Sequence, residues 1–193
     1  MRIIPIQREI ILDSLEINSF DFETPNEKSI DSIMDRVVQT LTGKSGIQLH
    51  WFRFGKSIVL KDSIERYVDI ACATELVKMG RAVSVYQVNG KIMGEKRESP
   101  FILLAGKKGE ISYKENGITY TFDPTIVMLS KGNINERSFL AKFPVKYKKV
   151  LDMFAGIGYF SIPIAKYLSP EIVTCLDINR TALEYLKISA KAN

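Results

Sequence analysis

The sequence is poor in the residues that build metal sites and disulfide bonds. It has two cysteines, Cys72 and Cys175, and one histidine, His50, in 193 residues. Each cysteine lies inside an apolar pattern, which predicts reduced thiols in the core rather than a disulfide or a metal site. A lone histidine beside aromatic residues favours a structural role. Because the sequence has no cluster of histidine and cysteine, we expect no bound metal ion.

Long hydrophobic runs are also missing. The apolar stretch from Met1 to Leu12 is interrupted by charged and polar side chains, which argues against a signal peptide or a membrane span. Apolar residues make up 46% of the chain and charged residues 25%, as is typical of a soluble globular protein. We therefore expect a cytoplasmic protein that does not bind a membrane, and we favour a monomer.

Acidic residues are scarce in the later part of the chain. Residues 1–40 hold 4 Lys/Arg against 8 Asp/Glu, a net charge of −4, whereas residues 41–193 hold 23 against 14, a net charge of +9. This excess of positive charge is compatible with a polyanionic partner, and a solvated basic face explains it equally well.

The most informative stretch is an apolar run that ends in an acid and a Gly-x-Gly turn. It spans residues 149–160 and predicts a buried strand, a tight turn at Gly156 and Gly158, and the start of a helix. A second apolar run, residues 172–176, ends at Asp177. This spacing of about 20 residues is the one at which a βαβ unit presents an acid to a ribose. The pattern therefore predicts a nucleoside-cofactor pocket.

Asp152 distinguishes between two kinds of cofactor. Gly156-x-Gly158-x-x-Ser161 approximates a dinucleotide fingerprint, so a nicotinamide-dependent oxidoreductase is one alternative. An acid at the end of the strand would repel a pyrophosphate, however, and would attract the sulfonium or ammonium group of S-adenosylmethionine. The second cofactor is therefore favoured, with Asp177 accepting hydrogen bonds from the ribose hydroxyls.

The same stretch resembles a known family. Asp152-Met-Phe-Ala-Gly-Ile-Gly-Tyr-Phe-Ser-Ile-Pro-Ile-Ala165 is similar to the first cofactor motif of class I methyltransferases, most closely to the branch that modifies guanosine 37 of tRNA. Residues 115–123 also look like the antiparallel element that precedes the cofactor domain in that branch. The resemblance implies a Rossmann-like fold that binds S-adenosylmethionine through Asp152, Phe154, Gly156, Gly158 and Asp177.

The branch has two members, which residues 127–137 help to separate. One is the tRNA guanine-37 N1-methyltransferase, and the other is the wyosine-pathway enzyme that transfers the 3-amino-3-carboxypropyl group of the same cofactor. The methyltransferase usually has Pro-Arg-Leu where this chain has Lys131-Gly132-Asn133, so the resemblance favours the second member. It implies catalytic roles for Asn133 and Glu136 and cofactor contacts for Ser130 and Arg137. Arg137 could instead bind a tRNA phosphate, and a plain capped helix is the structural alternative.

A basic cluster lies between that helix and the cofactor strand. For a tRNA enzyme it is a sensible phosphate contact, and a solvated linker is the alternative. The residues are Lys142, Lys146, Lys148 and Lys149.

Local patterns predict the remaining elements. We expect a helix that Thr24 and Glu27 begin and Gly43 ends, two strands broken at Gly55, and a helix that Asp62 and Glu65 cap. Hairpin turns are expected at Asn89-Gly90 and Asn116-Gly117, and the cofactor helix at residues 157–168.

Together these patterns predict an α/β protein in three parts. An N-terminal α+β domain covers residues 1–105, a β-hairpin and helix cover 106–143, and residues 144–193 begin a Rossmann-like class I methyltransferase domain. Since a doubly wound sheet needs more strands, we expect a fragment truncated at its C-terminus. The resemblance implies transfer of the aminocarboxypropyl group to carbon 7 of 4-demethylwyosine at position 37 of tRNA. Methyl transfer with Glu136 as base, or a tRNA-binding fragment without turnover, are the alternatives.

Overall fold

The computed structural model describes residues 4–7, 27–92, 94–128, 132–140 and 148–193. These residues form two compact units. The first unit comprises those within 18–92 and 100–111, and the second comprises those within 1–17, 93–99 and 112–193. The strands are β1 (Ile4–Gln7), β2 (Trp51–Phe54), β3 (Ser57–Leu60), β4 (Ser84–Val88), β5 (Phe101–Gly106), β6 (Ile111–Glu115), β7 (Ile118–Phe122), β8 (Lys149–Asp152) and β9 (Ile172–Cys175). The helices are α1 (Glu27–Thr42), α2 (Arg66–Lys78), α3 (Ile134–Leu140), α4 (Ser161–Pro163), a π-helical turn (Ile164–Leu168) and α5 (Arg180–Lys191).

The first unit is a four-stranded sheet with two helices. Its strand order is β2-β3-β4-β5, in which β3 and β4 are parallel and the outer pairs are antiparallel. The apolar residues of α1 recur at helical spacing and pack with α2 and the sheet into one buried cluster. Members of this cluster are Ile30, Met34, Val38, Ile58, Leu60, Val68, Cys72, Leu76 and Val85. The strand break at Gly55 and the end of α1 before Gly43, which has φ +70°, are confirmed.

Two local predictions in the first unit are wrong. Asp62 does not cap α2, because its carboxylate accepts hydrogen bonds from the backbone N–H of His50 at 2.9 Å and contacts the His50 ring at 2.6 Å. The carboxylate of Asp69 instead accepts the Ile64 N–H at the start of α2. Asn89-Gly90 does not close a two-residue hairpin, since β4 ends at Val88 and β5 begins only at Phe101.

Both cysteines are buried, as predicted. Burial raises the pKa of the Cys72 thiol and that of the Cys175 thiol to about 11. A thiol with such a pKa is a poor nucleophile at neutral pH.

The second unit contains the predicted βαβ element. β8 and β9 are parallel, and β1 lies antiparallel on the other edge of β9, giving the order β1-β9-β8. β6 and β7 form the predicted hairpin, with φ of +50° at Asn116 and +74° at Gly117, the left-handed values that a tight type I′ turn needs. α5 lies beside β7, where the Ser189 hydroxyl accepts the Thr121 N–H at 3.0 Å.

The helix after the glycine turn begins later than predicted. Gly156 and Gly158 have φ of +56° and +96°, values that a right-handed helix cannot contain, so residues before 161 form turns. α4 then begins at Ser161 and passes into the π-helical turn, which ends before Ser169 at φ +48°.

The predicted division at residues 105 and 143 stays a prediction. β1 groups with the second unit, because it pairs with β9. In the part of the chain that the structure describes, no helix has the length and apolarity to cross a membrane.

Candidate cofactor site

A cavity of about 980 Å³ lies within the second unit, at the carboxyl ends of β8 and β9. Its walls come from the glycine turn, the segment after β9, the start of α3 and residues 95–97. In α/β folds this edge of a parallel sheet is where ligands bind, because the strands end there and the loops diverge.

The glycine turn is fixed to the end of β9 by backbone hydrogen bonds. The Ala155 N–H donates to the Leu176 carbonyl at 3.0 Å, and the Gly156 N–H donates to Asp177 Oδ2 at 2.7 Å. Gly156 lines the cavity, and a Cβ at its position would lie 2.7 Å from the Tyr159 ring. Any side chain at this position would therefore collide with the Tyr159 ring, and φ of +56° also favours glycine.

Gly158 is required for packing of the turn against neighbouring helices. It does not line the cavity, and a Cβ there would lie 2.7 Å from Ile162 and 3.2 Å from Leu186. Its lack of a side chain lets the turn pack against α4 and α5.

The two acids at the strand ends also differ. Asp177 lines the cavity, with Oδ2 on the Gly156 N–H and Oδ1 on the Asn179 N–H at 2.8 Å. Asp152 does not line it; its Oδ2 accepts from the Ser161 hydroxyl at 2.5 Å and its Oδ1 from the Phe154 N–H at 3.3 Å. Asp177 is thus the acid that lines the cavity, whereas the carboxylate of Asp152 is hydrogen-bonded within the turn.

Exposed apolar side chains form one part of the cavity wall. Phe154 is 86% exposed, Ile178 58% and Met153 55%, and all three line the cavity. Large apolar side chains that are this exposed in a concave site are suited to packing against a flat, apolar ligand surface.

Helix α3 contributes Arg137 to the cavity wall, and the residue before the helix contributes Asn133. Asn133 is exposed and directly precedes the helix. The guanidinium of Arg137 is buried and pairs with Glu115, Nε to Oε1 at 2.6 Å and Nη2 to Oε2 at 3.1 Å. Glu136 is exposed and does not line the cavity.

The segment that forms most of this site is similar to a known protein domain. Residues 111–193, which include β6 to α5 and most of the cavity, match the TRM5/TYW2 methyltransferase domain. This segment of the chain is therefore similar to that domain.

Relatives from both named branches are similar to the chain. It is 40% identical over 119 residues to the tRNA(Phe) (4-demethylwyosine(37)-C(7)) aminocarboxypropyltransferase of Methanocaldococcus jannaschii, over 62% of this chain and 48% of that protein. It is 37% identical over 125 residues to the tRNA (guanine(37)-N(1))-methyltransferase Trm5b of Pyrococcus abyssi, over 60% of this chain and 37% of that protein.

The crystal structure of M. jannaschii TYW2 in complex with AdoMet is similar in fold, with a TM-score of 0.52 and 29% identity over 74% of this chain and 51% of that chain. The predicted class, an α+β region followed by the start of a Rossmann-like methyltransferase domain, is confirmed. The chain spans about half the length or less of the relatives named here.

The structure brings together only some of the predicted site residues. The cavity lining includes Phe154, Gly156, Asp177, Asn133 and Arg137 and leaves out Asp152, Gly158 and Glu136, whose ligand roles stay predictions. Ser130, Lys142 and Lys146 lie outside the described residues. Lys148 and Lys149 are exposed, and contact of these lysines with tRNA stays a prediction.

Several lining residues were not predicted from the sequence. Tyr159 and Ile178 directly follow the two motif positions, so their proximity to Gly158 and Asp177 was an available signal. Arg97 gives no such signal, since it is distant in sequence. It lines the cavity with φ +51°, and its neighbour Lys96 accepts the Asn179 side-chain N–H at 3.1 Å through its carbonyl.

Proposed function

We propose that this chain is part of a tRNA-modifying transferase that moves the 3-amino-3-carboxypropyl group of S-adenosylmethionine to carbon 7 of 4-demethylwyosine at position 37 of tRNA(Phe). One observation carries the proposal. The glycine turn is hydrogen-bonded to Asp177 and lines the cavity, in a segment that matches the TRM5/TYW2 methyltransferase domain. The aminocarboxypropyltransferase relative, at 40% identity, supports this branch of the family.

The residues of the cavity fit S-adenosylmethionine. A carboxylate offers about four lone-pair positions, and Asp177 uses two of them on the backbone of Gly156 and Asn179. The remaining positions can accept the two ribose hydroxyls. The exposed side chains of Phe154 and Ile178 offer an apolar surface to the adenine, and Gly156 lets the ligand approach the backbone.

The chemistry of the bound cofactor is that of a sulfonium, whose sulfur takes the electron pair of the broken S–C bond when a nucleophile attacks the adjacent carbon. The contribution of this chain is to bind and orient. Effective molarities of order 10⁵ M or more are available from orientation alone in favourable cases. Asn133 and Arg137, which line the cavity, are the candidates to hold the amino-acid part of the cofactor, so that its γ-carbon rather than its methyl group faces the base.

The position of Glu136 favours this reaction over methyl transfer. Methylation of nitrogen 1 of guanosine calls for a proton acceptor at the reacting atom, and Glu136 is the candidate from the sequence. Its side chain is exposed and lies outside the cavity lining. Guanine-37 N1-methylation remains the second candidate function, because the Trm5b relative is 37% identical. A tRNA-binding fragment without turnover is the third.

The partner of this transferase is tRNA, and we place the protein in the cytoplasm. Base 37 lies in the anticodon loop, where an unstacked base can enter a protein pocket. The net charge of +9 on residues 41–193 supports a polyanionic partner.

The test uses the chain together with whatever its gene encodes around it. This protein is incubated with tRNA that carries 4-demethylwyosine or guanosine at position 37, and with cofactor labelled separately in its methyl and carboxyl carbons. Carboxyl label in the wyosine tRNA alone is the expected result. Methyl label in the guanosine tRNA would instead select the second candidate, and tRNA binding without either label would select the third.

A further inference from the structure

A buried ion pair joins Arg137, which lines the cavity, to Glu115, which does not. The side chain of Arg137 is 2% exposed and that of Glu115 is 5% exposed. Two parallel N–H···O bonds join them, at 2.6 Å and 3.1 Å, and such a bidentate contact fixes the plane of the guanidinium. Of its five N–H groups, these bonds use two, which leaves three that Glu115 does not use.

The carboxylate of Glu115 is itself held in place. Tyr113, two residues earlier on β6, donates its hydroxyl to Glu115 Oε2 at 3.0 Å. Burial, with the nearby charge of Glu115, raises the pKa of Tyr113 to about 12, so its phenol remains a hydrogen-bond donor well above neutral pH. The β6–β7 hairpin therefore supplies a fixed anchor for Arg137.

On its other side, Arg137 contacts the cavity wall. Its guanidinium carbon lies 5.7 Å from the centre of the Tyr159 ring, within the range of a cation–π contact. The Tyr159 hydroxyl donates to the Met128 carbonyl, and both of these residues line the cavity. The Arg137 N–H donates to the Asn133 carbonyl at 3.1 Å. The side chain of Arg137 thus contacts the Tyr159 ring, and its backbone N–H bonds to Asn133 at the start of α3.

We propose that Glu115 is a positioning residue for this cavity: it holds Arg137, and Arg137 holds Tyr159 and the start of α3 in the arrangement that receives the cofactor. The inference rests on the proposed function, since the cavity is taken to bind S-adenosylmethionine. Glu115 orients the arginine through its two hydrogen bonds. Because the pair is neutral as a whole, Glu115 also lowers the net positive charge that faces the ligand.

The first experiment needs no ligand. Hydrogen–deuterium exchange is compared between the wild-type chain and Glu115→Gln, which keeps the size of the side chain and removes its charge. We expect faster exchange in peptides from 134–140 and 156–164, and unchanged exchange in the first unit. Glu110→Gln, an exposed glutamate just before β6, is the matched control. Equal exchange in those peptides, or a rise spread over both units, would overturn the proposal.

The second experiment measures binding of S-adenosylmethionine by calorimetry. Glu115→Gln should weaken affinity by about tenfold or more, the size expected for one charge-assisted hydrogen bond. In an Arg137→Gln background the same change should have no further effect, because Glu115 acts through Arg137. Additive losses would mean that Glu115 acts independently of Arg137 and would contradict the proposal.

A failure to fold and a failure to bind the cofactor can each be told apart from a failure of the proposal. Leaving Arg137 buried without its partner could prevent folding, and in that case Tyr113→Phe, which removes one hydrogen bond to the same carboxylate, takes its place. It should raise exchange in the same peptides to a smaller extent, and no change there would count against the proposal. Should the wild-type chain fail to bind S-adenosylmethionine, the proposed function is contradicted, while the exchange comparison still decides the role of Glu115.

Discussion

At the scale of single residues, Asp177 combines a structural contact with a position in the cavity lining. It accepts two backbone N–H groups and lines the cavity with the same carboxylate. Asp177→Ala should therefore weaken binding of S-adenosylmethionine by about tenfold or more, since charge-assisted hydrogen bonds to the ribose are lost. Calorimetry measures the affinity. Glu171→Ala, exposed near the opposite end of β9, is the control and should bind normally. Unchanged affinity of Asp177→Ala would remove this residue from the site.

A substitution of Asn133 can distinguish a catalytic role of this residue from a helix-capping role. It is exposed, lines the cavity and directly precedes α3. Serine caps helices about as well as asparagine, so Asn133→Ser should unfold at nearly the wild-type urea concentration while transfer of the aminocarboxypropyl group falls about tenfold or more. Single-turnover rates and urea titrations give the two quantities. Asn135→Ser, exposed in the same helix and outside the cavity lining, should keep its rate. Full activity in Asn133→Ser would leave only the capping role.

Asp62 gives a pH-dependent prediction. Hydrogen bonds from the backbone and ring of His50 hold the pKa of its carboxyl below the ordinary value of 3.8. A depressed folded-state pKa adds stability that is present above pH 3.8 and is lost as the pH falls through the folded value. Because the pair is exposed, the contribution should be at most about 0.5 kcal/mol. Wild-type and Asp62→Asn proteins should therefore differ in urea unfolding at pH 6 and converge toward pH 3. A difference that grows on acidification would contradict this account.

At the scale of secondary-structure elements, the glycine turn shows what sequence can and cannot predict. The run of apolar residues, the acid and the two glycines were enough to predict β8, the turn and a following helix, because each feature is local. The separate tasks of the glycines were not predictable. Gly156 faces the cavity and Gly158 packs on Ile162 and Leu186, and those neighbours are known only once α4 and α5 are placed.

A pair of substitutions tests that assignment. Gly158→Ala should destabilise the protein by about 1–3 kcal/mol, from backbone strain and from overpacking against Ile162 and Leu186. Gly90→Ala is a close control, because φ is +95° there and +96° at Gly158, while no atom lies within 4 Å of its Cβ position. Urea unfolding of both variants isolates the packing contribution. Equal losses would show that strain alone explains the glycine.

At the scale of the whole molecule, long-range pairing limited prediction. The apolar start of the chain suggested a strand, but its partner β9 lies more than 160 residues later, which no local pattern shows. The same holds for the Glu115–Arg137 pair. The sequence resemblance suggested Arg137 as a cofactor ligand, whereas its nearest partner is a carboxylate on the hairpin. Local signals therefore predicted the elements and the cofactor class, and the contacts between distant segments had to come from the structure.

Charge is the property that acts over the whole molecule, and it gives the last prediction. Lys148 and Lys149 are exposed beside the start of β8. If they contact tRNA phosphates, changing both to glutamate should weaken binding and flatten the plot of log affinity against log salt by roughly one per lost contact. Lys107→Glu with Lys108→Glu, also exposed, changes the net charge of the chain by the same amount and is the matched control. Filter binding over a range of salt concentrations measures both slopes. Equal slopes in the two double variants would mean that net charge alone attracts tRNA, whereas a flatter slope for the first pair alone would place these lysines at the interface.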